Sequence, residues 1–407
     1  MNSGPAAAAA RRTEVSDWGF IIMLGAASAL SSFGMASIVP ALPSLGRELG
    51  VDPSQQQFLV SCYLLGLGVF QPLQGLLCDR FGRRPVLLAG FAVFVAGSLT
   101  AANTHSLLAV SAARVFQALG VSVATVVTRA IVRDTHEARA AGIAMSFISA
   151  VMGIAPIIAP LAGGVIVETA GWHAVFLLHA AMGLVMILWM FLRLRETRPT
   201  STRAMNLRQL FAGFGILLRE RQFLAFALTY GFVSGGSFMF VTIGADVFAR
   251  EFGMSPSRFG VFWATLAASY ALGSACSGWA ARRVSAERVV KAGVNVCVLG
   301  ALAVLGASLL SPPSLVVWGC ALSLFVFACG LTSPLSLAGA VSGHAELAGV
   351  ASGLSSALAM LLSMLCAVAA GVVYHGNPAP NGLLIVGCAL AAWGSARMAY
   401  ATPAQAP

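Results

Sequence analysis

The sequence predicts an all-α integral membrane protein with twelve transmembrane helices in two six-helix halves, and three observations carry that prediction. Of 407 residues, 58% are apolar and only 9% are charged, whereas a soluble domain carries about 25% charged residues. So few charges could not solvate the surface of a chain this long, and the mean hydropathy is +0.86. The apolar residues also fall in continuous runs of roughly 20, the length that crosses a bilayer as helix. The alternation typical of an outer-membrane barrel is absent.

Residues 1–17 read as a polar, alanine-rich cytoplasmic tail with Arg11 and Arg12. The run from Trp18 to Val39 is too long for a signal-peptide core and a second run follows soon after, so it is expected to stay as the first span. Further spans are expected at 56–77, 85–102, 106–127, 141–166 and 174–193, and then at 223–245, 259–280, 290–310, 315–341, 348–373 and 382–400. These define an N-terminal half over 18–193 and a C-terminal half over 222–401, with a tail at 402–407. Between the halves lies an arginine-rich cytoplasmic linker, 194–221, with a surface helix expected around 206–219. A weak echo relates the halves: Gly75-Leu-Leu-Cys-Asp79-Arg80 after span two, and Gly278-Trp-Ala-Ala-Arg282-Arg283 after span eight. Parallel six-helix repeats that face one another are a transporter architecture, with the substrate site at their interface.

Orientation follows from charge. With the N-terminus inside, Arg47, Arg250 and Arg258 lie in outer loops, Arg114 lies within a span, and the remaining twenty of the 24 basic residues fall on the inner side. Basic residues accumulate in cytoplasmic loops, so both termini are expected in the cytoplasm. The net charge of +10 is therefore a topological signal, and no nucleic-acid partner is expected. The eight cysteines include no CxxC pair and read as small apolar filler. No metal site or bound cofactor is expected. An enzyme is disfavoured because no zinc-binding HExxH, nucleophile-elbow GxSxG or phosphate-loop motif occurs.

Three motifs stand out. The first is Gly75-Leu-Leu-Cys-Asp79-Arg80-Phe-Gly82-Arg83-Arg84-Pro85. Gly75 is expected to permit close helix approach and Gly82 a tight turn, while Asp79 with Arg80, Arg83 and Arg84 forms an ion-pair latch at the membrane face. For the arginines alone, topology is the plainer reading. The second is Arg114, the one basic residue well inside a span. A buried guanidinium is expensive unless it faces a cavity or a partner; the structural alternative is an arginine satisfied by carbonyls at a helix break. The third is span five, with Gly153, Pro156, Pro160, Gly163 and Gly164. Pro156, Pro160 and Gly164 recur every four residues on one helix face, where prolines kink the helix and small residues admit a neighbour.

The loop motif resembles, without a gap, the loop signature of the major facilitator superfamily. Further segments narrow the resemblance to the bacterial Bcr/CflA drug-efflux group, which includes chloramphenicol exporters. They are Pro40-Ala-Leu-Pro43, Arg114-Val-Phe-Gln117-Ala-Leu-Gly120, Arg133-Asp134, Ala155-Pro156-Ile-Ile-Ala159-Pro160-Leu-Ala-Gly163-Gly164, Gly171-Trp172 and Glu196-Thr197. The resemblance implies the major facilitator fold, a monomer in the bacterial inner membrane, and export of small-molecule drugs by alternating access. Protons are the implied counter-substrate and their gradient the energy source. It also implies that Arg114, Gln117 and Gly120 belong to a proton-transfer and coupling motif, and that span five carries the antiporter motif. One departure matters: the group usually has an acid four positions before Pro-Ala-Leu-Pro, where this chain has Ala36. Neutral or weakly anionic, phenicol-like substrates are therefore expected over cations. Asp246 and His179 become the fallback proton carriers, although a rim carboxylate and a packing histidine are the plainer readings. Phe232, Phe238, Met239, Phe240, Phe262 and Trp263 are candidates for an apolar pocket lining. The alternative on the same fold is an exporter or importer of an endogenous metabolite such as an amino acid or siderophore.

Overall fold

The computed structural model describes residues 18–197, 207–343 and 347–400. The tails 1–17 and 402–407 and the middle of the linker, 198–206, lie outside the described residues. The helices are α1 (Trp18–Ala36), α2 (Leu42–Leu49), α3 (Pro53–Phe81), α4 (Arg83–Ala102), α5 (Leu107–Thr135), α6 (Ala138–Ala170) and α7 (Trp172–Arg193). Then follow α8 (Leu207–Leu217), α9 (Arg221–Phe252), α10 (Pro256–Ala280), α11 (Ala286–Ser308), α12 (Leu315–Ser342), α13 (Ala348–Val373) and α14 (Ala379–Ala399). With α1 and α2 counted as one interrupted span, twelve of them are long and apolar enough to cross a membrane. The short α8 is the helix expected in the linker.

The helices outrun the apolar windows that announced them, most of all α3, α5, α6 and α9. Their ends carry polar residues that satisfy the terminal backbone groups outside the hydrocarbon. Pro53 opens α3 while the Asp52 amide donates to Gln55 Oε1 at 3.2 Å. Ser255 and Ser285 cap α10 and α11 by accepting the Arg258 and Arg288 amides. The first span differs in kind. It breaks after Ala36, makes a 3-10 turn over Val39–Ala41, and restarts as α2 with Pro43 in the first turn. Pro40 has no N–H to donate to a continuing helix, and Pro43 suits a helix start.

The first six spans pack mainly on one another, through α4–α5, α3–α5, α1–α6 and α4–α7; the last six do so through α9–α13, α10–α12, α11–α12, α9–α14 and α11–α14. Two seams join them, α3–α13 and α6–α10. The α3–α13 seam is in contact along its length: Gly371 lies against Gln57, Gly68 against Leu361 and Gly353 against Pro72.

The α6–α10 seam is asymmetric. At the arginine-poor end, a Cβ added to Gly164 would run into the Pro256 carbonyl, and one added to Gly260 into the Pro160 carbonyl. Gly163 packs equally tightly on the Ser37 carbonyl, and the Ser257 amide donates to Glu168 Oε2 at 3.3 Å. Along the same face of α6, Pro160 and Gly164 are buried, Pro156 and Ile157 half-buried, and Gly153, Ser149, Ser146 and Gly142 exposed. On α10, Gly260 is buried, Ala267 and Ala271 half-buried, and Gly278 exposed. A cleft between the halves is thus shut at the arginine-poor end and open toward the arginine-rich end. The close approach expected of span five holds at Pro160, Gly163 and Gly164 but not at Gly153, where an added Cβ meets nothing within 4 Å.

Because the obstacle at Gly164 is backbone, Gly164→Val should penalise the shut end by about 1–3 kcal/mol, roughly five- to 150-fold in population. A cysteine placed at Ser257 should then react faster with a membrane-impermeant maleimide than in the parent background. Equal labelling rates would show that the seam closes by other contacts.

Candidate functional site

Arg114 enters the first half from α5 and is wholly buried. Its Nε donates to the Leu59 carbonyl at 3.1 Å, and its Nη1 to the Gly34 carbonyl at 2.9 Å and to Gln117 Oε1 at 3.0 Å. Nη2 lies 3.8 Å from Met35 Sδ, and the guanidinium sits over the Tyr63 ring, 4.0 Å from its centroid. Among the described residues no carboxylate pairs with it. The Gly34 carbonyl belongs to the last turn of α1, where helical N–H donors run out. Of the two sequence readings, this is the arginine satisfied by carbonyls at a helix break. Burial explains the need, since the free carbonyls of a helix broken inside the bundle must find partners within the protein.

Gln117 passes the network on: its Nε2 donates to Ser98 Oγ at 2.7 Å, which donates to the Phe94 carbonyl at 2.7 Å. Gly120 makes no polar contact of that kind. A Cβ there would strike the Gly90 carbonyl and the Phe94 amide, so Gly120 and Gly90 bring α5 and α4 close enough for Gln117 to reach Ser98.

His179, on α7, is buried against Phe33, Phe94 and Phe176. Its Nε2 lies 2.7 Å from Ser37 Oγ, which is also 2.8 Å from the Phe33 carbonyl. The hydroxyl has one hydrogen. When it goes to Phe33, the imidazole donates from Nε2 and leaves Nδ1 without a partner, in keeping with the unpartnered Nδ1 observed. Arg114 and His179 therefore both hold the end of α1, one at Gly34 and the other at Ser37. Ala36, the position of the missing acid, is buried between those two anchors.

Asp246 lies at the arginine-poor end of α9, and its Oδ2 receives Arg250 Nε at 2.7 Å and the Tyr374 hydroxyl at 2.8 Å. Burial, and then the Asp246 charge, push the Tyr374 hydroxyl pKa up, so it stays a donor. Asp246 is thus a paired rim carboxylate. Arg250 is its neighbour one helical turn on, whereas the Tyr374 partner was not legible because residue 374 is far off in the chain.

At the arginine-rich end the loop motif forms a latch. Gly82 turns the chain at φ +98°. The Arg83 guanidinium bridges Asp79 at 2.6 Å and Asp134 at 3.3 Å. Glu196 accepts the Arg83 and Arg84 amides at 2.9 and 3.2 Å, placing a carboxylate on the N-terminus of α4, where the helix dipole favours it. Arg84 donates to the Phe191 carbonyl at 2.9 Å, and Arg80 lies over the Phe81 ring. The latch joins α3, α4, α5 and the end of α7. At Gly75 an added Cβ meets nothing within 4 Å among the described residues, so the close approach expected there is not made in this conformation. Of the aromatic candidates, Phe240 stacks on Trp263 at 5.8 Å and Phe262 lies against Phe248 at 4.5 Å, while Phe232 and Phe238 are half-buried and Met239 is buried.

Removing the Arg114 side chain orphans buried acceptors at about 1–3 kcal/mol each. Arg114→Ala should therefore melt well below the parent in detergent, and further below it than Gln117→Ala. Arg114→Lys should fall between, because an ammonium lacks the planar fork. Thermal unfolding of all three checks the order, and an unchanged midpoint for Arg114→Ala would refute the anchoring role.

A profile of the Major Facilitator Superfamily matches residues 24–367. The chain is 27% identical over 338 residues to a "Bicyclomycin resistance protein homolog" of Haemophilus influenzae, spanning 82% of this chain and 84% of that one. It is 28% identical over 337 residues to a "Chloramphenicol resistance protein" of Pseudomonas aeruginosa, spanning 81% and 78%. Among solved structures, a bacterial homologue of the human lysosomal transporter Spinster, inward-facing and occupied, superposes with a TM-score of 0.76 at 15% identity, covering 94% of this chain and 96% of that one.

Proposed function

We propose that this chain, which belongs to the major facilitator superfamily and is a membrane transporter rather than an enzyme, exports small, neutral, largely apolar drugs across the bacterial inner membrane. The observation that carries the reading is the asymmetric α6–α10 seam. With both termini cytoplasmic, its open end faces the cytoplasm, so substrate enters from inside. The exposed cleft face of α6 offers Gly142, Ser146, Ser149 and Gly153, a wall with hydroxyls and no charge. Arg114 is already satisfied by carbonyls and Ala36 supplies no acid, so nothing there attracts a cation. The names of the relatives, resistance to bicyclomycin and chloramphenicol, support the drug class, with phenicols the first candidate.

Alternating access follows from the contacts. Opening the outer side breaks the Gly164–Pro256, Gly260–Pro160 and Glu168–Ser257 contacts and brings the cytoplasmic ends of α6 and α10 together. The latch of Asp79, Arg83, Asp134 and Glu196 keeps the cytoplasmic ends of α3, α4, α5 and α7 moving as one body. Arg114, Gln117 and Gly120 hold the end of α1, whose Ser37 carbonyl packs on Gly163, and so couple the core of the half to the seam. The proton gradient supplies the energy. His179 and Asp246 are the candidate proton carriers; His179 is enclosed by Phe33, Phe94 and Phe176, and Asp246 is paired with Arg250. The protein acts as a monomer and needs no bound cofactor.

Drug susceptibility in a pump-deficient host tests the reading, using a phenicol, a lipophilic cation and an anionic compound. The parent should protect against the phenicol and not the cation, and Arg114→Ala, compared at equal membrane content, should lose that protection. Strong resistance to the cation would overturn the neutral-cleft reading. Sensitivity to every compound, with the protein in the membrane, would overturn drug export in favour of a metabolite carrier.

A further inference from the structure

Three side chains distant in sequence meet on the arginine-poor face of the first half, away from the cleft. Glu48 lies near the end of α2, His105 in the α4–α5 loop and His173 in the first turn of α7. Their ligand atoms all lie within 4.8 Å of one another. Glu48 Oε1 is 3.6 Å from His105 Nδ1 and 3.7 Å from His173 Nε2. Both separations are longer than a hydrogen bond, and both histidines reach the same carboxylate oxygen, so the three groups converge on one point. A tetrahedral ion with bonds of about 2.0–2.1 Å sets its donors about 3.3 Å apart, a few tenths of an ångström inside what Glu48 already makes with each histidine.

The set is also oriented from behind. The Trp172 indole Nε1 donates to the other Glu48 oxygen, Oε2, at 2.8 Å, which leaves Oε1 free. Trp172 is buried, and the His173 ring stacks on it at 3.6 Å with a 26° tilt. A fixed carboxylate and a fixed imidazole are what outer-shell partners supply at metal sites. His105, whose side chain is 73% exposed, is the adjustable third arm and closes the remaining gap by rotation.

We propose that Glu48, His105 and His173 form a binding site for a divalent cation of the zinc class. Two imidazoles and one carboxylate suit zinc and its transition-metal neighbours, whereas calcium and magnesium take oxygen ligands. Three protein ligands leave a coordination position open to water. The ion staples the end of the first span to the α4–α5 loop and to α7. Since α2 also packs on α9 of the second half, it stiffens the rim against which that half closes. None of this depends on which substrate is carried.

The test uses full-length protein purified through a tag without histidines and stripped of metal. Titration with cobalt should give one equivalent with visible d–d bands and no thiolate charge-transfer band, which separates the site from the exposed thiols of Cys276 and Cys320. Zinc should raise the melting temperature. The double variant His105→Ala/His173→Ala, which alters only exposed or half-buried side chains, should melt like the metal-free parent and lose both responses. Trp172→Phe, which removes the indole donor, should weaken binding by roughly 10–100-fold. An unchanged cobalt spectrum in the double variant, thiolate bands in the parent, or no response of the parent to zinc would each overturn the proposal.

Discussion

The packed interior of a helical bundle holds no bulk water to hydrogen-bond a broken helix, and this chain breaks its first helix among buried residues. The guanidinium of Arg114 resolves the conflict by donating to the Gly34 carbonyl at the end of α1 and to Leu59 on α3. Much of the first half is arranged around that bond. Tyr63 lies under the guanidinium and ties back to the Ser31 carbonyl at 2.9 Å. Gln117 fastens the same group to α4 through Ser98, and the Gly90–Gly120 contact sets the spacing that makes this reach possible. The break in turn frees Ser37 to meet both His179 and Gly163. A charge that looks costly when buried thus donates to two backbone carbonyls and to the Gln117 side chain, with no carboxylate among the described residues paired to it.

How much of this was legible in the sequence follows from the range of each interaction. Twelve apolar runs announced twelve spans because hydrophobic length is a local property. The prolines at 40 and 43 belonged to a recognisable segment, and span five showed its packing face through a four-residue recurrence. Arg114 was visible as an anomaly, yet its partners were not, since carbonyls leave no trace in composition. The clamp of Glu196 on the first turn of α4, the Tyr374 bond to Asp246 and the meeting of Glu48 with two histidines all join residues far apart in the chain. No periodicity encodes such meetings. Gly75 shows the converse: a glycine suggests a close approach that this conformation does not make.

The two seams divide the work. Along α3–α13 the halves stay in contact from end to end, while α6 and α10 pack most closely at one end and are exposed at the other. The contacts at the shut end are backbone against glycine, with one amide–carboxylate bond from Ser257 to Glu168. They are short-range and few. Such a closure can release without unpairing a buried charge, so rocking does not carry the desolvation cost that an ion-paired gate would impose.

The gradient along α6 also separates two kinds of freedom for sequence change. At Gly163 and Gly164 the neighbouring atoms are backbone, so these positions admit almost no side chain. About three to six turns away, Gly153, Ser149, Ser146 and Gly142 are exposed, and each can accept a new group without disturbing the fold. One helix thus joins a sterically frozen gate to an editable wall. A lineage under pressure from a new toxic compound can rewrite the wall while the moving parts stay as they are.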